Sequence, residues 1–248
     1  MSIKVSIITA TFNDADNLQK IVNQVKKQDY ENIEYIIVDG ASTDSTGMVI
    51  RDAKEFFGER LIFISEPDTG IYSAINKGIK LASGDVIGCC FDEFTSETVI
   101  RKMVEIIEKE NSDGVHGDLN YMEGDRVIRR WHQGNGLLRL GWMPGHPTLY
   151  LKKKIYDTYG LYKEDYRVSA DYEFMVRCFI DKKVKISYIP EVLIHMSYGG
   201  TSNKNIAAYL LSLKEGHRAL KENNVKFAFF TDGMRSIRVL LQFLDKVR

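Results

Sequence analysis

Short apolar runs rich in β-branched residues recur along the first hundred positions, and each is followed by a polar cluster and then a helical period. The runs lie at 4–10, 33–38, 61–65 and 86–91. Runs of this length and content read as buried strands of a parallel sheet. After the first, Leu18, Ile21, Val22 and Val25 recur at helical spacing. After the second come Val49, Ala53, Phe56 and Phe57, after the third Ile71, Ala74, Ile75 and Ile79, and after the fourth Val99, Met103, Ile106 and Ile107. Each set marks one apolar helix face. Four strand–loop–helix units in succession predict an α/β fold with a doubly wound, mostly parallel sheet.

The regular alternation stops near position 110. Strands are expected at 115–121, 127–131, 148–151, 184–189 and 192–196, with a helix over 171–181 and a glycine-rich loop over 134–147. The tail, 206–248, reads as two helices broken near Asn223-Asn224. The chain is therefore divided into a domain over 1–205, with halves 1–110 and 111–205, and a helical extension over 206–248. The second half is expected to form a small acceptor-side lobe that completes the sheet.

At 44% hydrophobic residues the chain can bury a full core, and its 34 basic and 34 acidic residues leave no net field to attract nucleic acid. Cys89, Cys90 and Cys178 have neither metal-ligand nor disulfide-framework spacing and read as core hydrophobes in a reducing compartment. The start lacks a signal peptide's pattern, and no apolar run reaches membrane-spanning length, so a cytoplasmic protein is expected.

The chemistry gathers at the strand ends. Thr11 and Asn13 follow the first strand. Asp39, Ser42 and Asp44 follow the second, Glu66 and Asp68 the third, and Asp92 and Glu93 the fourth. Ligands of open α/β sheets bind at the carboxyl ends of strands. A turn and a helix cap would account for Gly40 and one of Ser42 or Asp44, but not for Asp39 as well. The first loop has no GxGxxG and no GKS or GKT, which weighs against a dinucleotide or P-loop enzyme. Carboxylates facing a diphosphate make sense through a divalent metal, and they also accept hydrogen bonds from a base or a sugar.

The segments VSIITATFN, IIVDGASTDST and EPDTGIYSAINKGIKLASGDVI together resemble the family 2 glycosyltransferases of the GT-A fold, over about four-fifths of the chain. The resemblance implies transfer of a sugar from a nucleotide donor, with inversion, to a glycan or polyprenyl-linked acceptor of a bacterial surface polysaccharide. It implies that Thr11 and Asn13 line the nucleotide pocket, that Asp39 meets the base or ribose, and that Ser42 and Asp44 shape that loop. Asp68, Asn76 and Lys77 would frame the donor, with Asp85 nearby. In GHPTLYLKKKIYDTYGLYKEDYRVSADYEFMVR, Asp171 matches the catalytic base, and His146 and Pro147 match the acceptor-side loop.

One departure concerns the metal. The family ends its fourth strand with Asp-x-Asp. Counted from Gly84, Phe91 takes the first of these positions and Glu93 the second, with Asp92 between them. Glu93 is thus expected to hold magnesium or manganese, with Asp92 beside the donor. The departure also keeps open a nucleotide-sugar-binding protein that has lost catalysis. A nucleotidyltransferase would need a glycine-rich basic first loop, which is missing. His116 and Asp118 share a strand face, where Asp118 is a candidate acceptor contact. His195 is open between a core residue and a late metal ligand, and Gly199-Gly200 between a donor cover and a plain turn. In the tail, Phe227, Phe229, Phe230, Leu240, Leu241, Phe243 and Leu244 mix with Lys226, Arg235, Arg238, Lys246 and Arg248. That pattern is open between peripheral contact with the inner face of the plasma membrane, packing on the domain, and a homodimer.

Overall fold

The computed structural model describes residues 2–181, 183–197 and 206–244. The four expected units are present. β1 (Val5–Thr11) leads to α1 (Ala15–Lys26), and β2 (Ile33–Asp39) to α2 (Thr46–Phe57). β3 (Leu61–Ser65) leads to α3 (Ile71–Leu81), and β4 (Val86–Cys89), through a two-residue strand β5 (Glu93–Phe94), to α4 (Val99–Glu110). The second half adds β6 (Gly114–Glu123), β7 (Arg126–Trp131), β8 (Tyr150–Lys152), α5 (Lys153–Tyr159), α6 (Ala170–Phe179) and β9 (Ile186–Ser197). Helices α7 (Ile206–Glu222) and α8 (Ala228–Leu244) follow, separated by a break at which Asn224 and Phe227 take positive φ.

Strand order is β3-β2-β1-β4-β8-β6-β9-β5, with β7 paired to β6. β1 to β4 are parallel, and β8 runs antiparallel between β4 and β6. β5 follows β4 in sequence yet pairs with β9 at the far end of the order and touches α1, so the sheet curls. Apolar residues of α1, α2 and α4 pack on one face and those of α3, α5, α6 and α7 on the other. The chain goes outward from β1 to β3 and then crosses back to β4. The switch point at which ligands bind is therefore the crevice between β1 and β4.

Two expectations change. The strands expected at 184–189 and 192–196 are one strand, β9. Pro190 does not end it, because the register with β6 skips from Ile189 to Val192 and leaves Pro190 and Glu191 in a bulge, where no ladder N–H is required. Helix α5 was not expected. Its seven residues are too few to show a period.

Glu34, which interrupts the apolar run of β2, is buried but fully partnered. Its carboxylate accepts from Lys4 Nζ at 2.8 Å, Ser6 Oγ at 2.7 Å, and Ser83 N–H and Oγ at 2.8 and 2.6 Å. Burial would raise its pKa, but these donors outweigh burial and hold it at about 2, against an ordinary 4.5. A depressed folded-state pKa gives stability that is complete above pH 4.5 and lost as pH falls towards 2. Glu34→Gln should cost about 2 kcal/mol at pH 7. The gap from wild type in urea melts should close between pH 4.5 and 2. A gap that stays constant across that range would mean the ionised carboxylate is not what stabilises.

Candidate active site

Three strand ends lie side by side, with Thr11 opposite Asp39 in the parallel register and Asp39 opposite Ser65. The main chain continues this alignment past the strands, as Gly40 N–H donates to Thr11 O and Glu66 N–H to Asp39 O. Asp39 is buried and organises the loop. It accepts from Ser42 Oγ at 2.5 Å, from Ser42 N–H at 3.2 Å and from Ser65 Oγ at 2.6 Å. Asn13, in a left-handed conformation, takes the Thr43 N–H on its Oδ1 at 2.8 Å, while its own N–H donates to Ser42 Oγ. Asp44 joins two helix starts, accepting from Ala15 N–H at 3.2 Å and Thr46 N–H at 3.0 Å. The Thr46 bonds lower its pKa. Neither Asp14 nor Asp16 caps α1; Asp44 reaches over from the next loop instead. Phe12 stands exposed at the rim, against Gly40.

The third loop is clamped from α3. Lys77 Nζ lies 2.6 Å from Asp68 Oδ1 and 2.9 Å from Glu66 Oε1, and it donates to Pro67 O at 2.9 Å. Lys77 and Asp68 thus meet, and each satisfies the other. Asp85 lies at the opposite end of β4, where it takes the Lys4 N–H, and so is not near the donor loops.

After β4 the two carboxylates part. Glu93, the expected metal ligand, is exposed, and its Oε1 accepts from Gln24 Nε2 at 3.1 Å. Gln24 is nine residues into α1, about 13 Å along the helix from the loops at its start. Asp92, in the bend just before β5, is half-buried. It accepts the Ser197 N–H at 3.2 Å, and burial raises its pKa to about 6. Among the described residues no group of three or more His, Cys, Asp or Glu could hold a metal. A magnesium ion that brings water and diphosphate oxygens needs only one or two protein carboxylates. Asp92, half-buried and holding the Ser197 N–H, fits that demand better than the exposed Glu93. His195 is the register partner of Glu93, on this outer strand pair.

Asp171 lies in the first turn of α6. Its Oδ1 accepts from Tyr72 Oη at 3.0 Å, and its charge adds to burial in raising the Tyr72 pKa. Ser169 holds the N-cap position without a capping bond. The three residues leading into the helix are held from α7, where the Glu215 carboxylate accepts the N–H groups of Arg167, Val168 and Ser169 at 2.8, 3.0 and 3.0 Å. Asp171, two residues past the N-cap position, is not the cap. Glu173 is completely buried and points away, into Lys163, Arg177 and Asn223.

Asp171 lines a cleft of about 500 Å³ between β6–β7, the 141–147 loop, α6 and the two C-terminal helices. His146 lines it too. Its Nε2 is 2.9 Å from Tyr162 Oη, and burial lowers its pKa against the opposing charge of Asp171. Asn76 sets Tyr162, pairing with both its N–H and its carbonyl. Asp118 does not line the cleft. It sits behind the wall and accepts from Tyr188 Oη and Gln133 N–H at 2.8 Å, with His132 Nδ1 at 2.9 Å. The other face of β6 faces the cleft, through Leu119 and Tyr121. Tyr121 was not singled out from the sequence; burial raises its pKa, against the nearby charge of Arg129. The alternation along β6 was visible, but nothing in it said which face was wet. The Gly199-Gly200 turn lies outside the described residues, as do Lys246 and Arg248.

Residues 6–183 match the family model for glycosyl transferase family 2. The chain is 32% identical over 204 residues to a PGL/p-HBAD biosynthesis glycosyltransferase of Mycobacterium bovis, covering 80% of this chain and 78% of that protein. Glycosyltransferase GlyG of Streptococcus pneumoniae is 32% identical over 128 residues, 50% of this chain and 42% of that protein. Among solved structures, residues 1–349 of S. aureus TarS in complex with UDP-GlcNAc align with a TM-score of 0.71 at 15% identity, over 98% of this chain and 73% of that one. Against the longer TarS structure the chain spans 43% of the partner. The mannosyltransferase PcManGT of Pyrobaculum calidifontis, in complex with GDP-Man and Mn2+, aligns with a TM-score of 0.64 at 15% identity, over 100% of this chain and 77% of that one. These structures share the GT-A fold.

Proposed function

Because the chain belongs to glycosyl transferase family 2 and is a glycosyltransferase with a nucleotide-sugar donor, we propose that it inverts the anomeric carbon while moving a hexosyl or N-acetylhexosaminyl group from a UDP-sugar to a hydroxyl. The carrying observation is Asp171: a carboxylate on the cleft wall, not used as a helix cap, with Tyr72 as its hydrogen-bond partner. In a single displacement the base must face the side opposite the leaving diphosphate, within hydrogen-bond reach of the acceptor hydroxyl. Asp171 accepts the hydroxyl proton as the acceptor oxygen bonds to the anomeric carbon and the bond to the leaving UDP breaks, through an oxocarbenium-like state. The Tyr72 hydroxyl fixes the carboxylate's rotamer during the transfer.

On the donor side, the loop folded around Asp39 receives the base and ribose, with Thr11 and Asn13 along its edge and Ser42 and Asp44 shaping it. Lys77 keeps the Asp68 loop closed beside the sugar. Asp92 would hold a divalent cation, magnesium or manganese, which when bound would neutralise charge developing on the UDP leaving group. A carboxylate at that point favours catalysis over a role in binding alone. The acceptor is a glycan or polyprenyl-linked sugar of a bacterial surface polysaccharide, met at the His146 loop. No helix among the described residues is long and apolar enough to cross a membrane. Phe227, Phe229, Phe230, Leu240 and Leu241 are exposed on and beside α8, which suits contact with the cytoplasmic membrane face or with a second copy.

The donor placement has a direct test. Saturating UDP with manganese should raise the melting temperature of the wild type by mass action. Asp39→Ala releases Ser42 and Ser65 together and should abolish that rise while melting stays cooperative. An unchanged rise would move the nucleotide elsewhere. In the same preparation, turnover of a UDP-sugar should fall on chelation. Turnover indifferent to chelator would remove the metal from the scheme.

A further inference from the structure

Helix α8 is turned inside out. A surface helix ordinarily buries its apolar side and wets its polar side. The charged residues of α8 are Asp232, Arg235 and Arg238, and all three face the domain or α7. Asp232 Oδ2 lies 2.7 Å from His217 Nδ1 on α7, and Arg235 stacks 4.4 Å over the Tyr172 ring with Asp232 Oδ1 3.7 Å away. Arg238 Nε donates to Leu140 O at 2.9 Å, and the buried Thr231 donates to Arg139 O at 3.1 Å. The outward side is apolar. Phe230, Ile237, Leu240 and Leu241 are exposed there, and Phe227 and Phe229, at the corner with α7, are 83% and 77% exposed. Single apolar residues are normal on a surface, but a contiguous patch of this size marks a contact.

The spacing on that side says what covers it. Phe230, Gly233, Ile237 and Leu240 are separated by three, four and three residues, and the sequence adds Leu244 four further on. Alternation of three and four is the seam of two helices wound on each other, and Ile237 and Leu240 take its two positions as in a two-stranded pair. Gly233 sits mid-seam. A Cβ there would meet nothing within 4 Å, so the domain does not require the glycine. Inside a helix it costs about 1 kcal/mol against alanine, and what it offers is close approach of another backbone. The outward side of α8 carries no charge, so two copies meet there without like-charge repulsion. Covering the whole face removes about 700 Å² per copy, close to the roughly 800 Å² per partner of a standard interface. A lipid surface fits less well. A helix lying on anionic lipid holds lysines and arginines beside its apolar face, whereas Arg235 and Arg238 are turned inward. We propose that α8 pairs with α8 of a second copy through this seam, giving a homodimer with a self-matching, two-fold interface. The pairing does not rest on the transfer chemistry above. Because the inward side of α8 lines the cleft, the seam braces that wall from behind.

Sedimentation equilibrium on the full chain at about 1–100 µM is expected to give twice the chain mass at the upper end. Ile237→Glu/Leu240→Glu sets acidic groups against each other across the seam and should weaken the dimer at least about 10²-fold, while melting stays cooperative and UDP binds as to the wild type. The uncharged pair Ile237→Gln/Leu240→Gln should weaken it in the same direction, and it decides the matter if the acidic pair fails to fold. Wild type that is monomeric throughout, or a dimer that the folded variants leave intact, would overturn the proposal. Flotation with phosphatidylglycerol vesicles tests the other occupant: a wild-type monomer that floats, and sinks once Ile237 and Leu240 are replaced, would give the face to lipid. A dimer that the variants disperse but that binds no UDP would leave the seam standing and count against the donor placement alone.

Discussion

Asp171→Asn is expected to lower sugar transfer by a factor of about 10² or more while UDP affinity and melting temperature stay near those of the wild type. The amide is nearly the size of the carboxylate, and its oxygen can still accept from Tyr72, so the α6 start is undisturbed. Three main-chain N–H groups there belong to Glu215 and not to Asp171. What the amide cannot do is accept the acceptor's proton. Single-turnover transfer with a UDP-sugar, alongside UDP binding, checks both halves. Transfer within a few-fold of wild type would send the search for the base elsewhere, and His146 on the same cleft would be the next residue to change.

Glu173, two residues on, should behave in the opposite way. It has no exposed surface and lies 3.0 Å from Lys163 Nζ and 2.9 Å from Arg177 Nη2, with Asn223 Nδ2 at 3.2 Å. Removing one partner of a buried ionic cluster leaves the others desolvated and unpaired, at about 3–5 kcal/mol. For a chain of this length that is a fall in melting temperature of roughly 10 °C. Glu173→Ala should therefore lose activity in proportion to the fraction unfolded, and the folded remainder should turn over normally. Full stability together with lost turnover would reverse the roles of the two acids.

The donor half was legible because its information is local. Each strand, its polar end and the next helix are contiguous, and the sheet register then brings Thr11, Asp39 and Ser65 together without further instruction. Asp171 and Glu173 diverge for an equally local reason, since side chains two residues apart on a helix differ by about 200°. The rest depended on contacts between distant segments. Glu93 kept the motif's spacing, yet a chain reversal after β4 carried it to Gln24 and left Asp92 half-buried. The face of β6 that meets the cleft is decided by β9 and the 134–147 loop, so Asp118 falls behind the wall and Tyr121 on it. Tyr72 is 99 residues from Asp171, and Glu215 is 46 from Ser169. The arginines of α8 looked like the polar side of a membrane helix because nothing local shows that part of that side closes a cleft.

The grip of Glu215 on three N–H groups bears on how such a chain can change over generations. The match to the family model ends at residue 183, before α7 begins, yet α7 holds the segment that leads into the helix bearing Asp171, and α8 lines the same cleft. A chain cut at 205 would keep the donor loops and lose the anchor of its own proton acceptor. Swapping this tail between relatives, by contrast, would replace the anchor and this part of the cleft wall together. On the reading that the cleft takes the acceptor, such an exchange is a route to a new acceptor with the sugar donor unchanged.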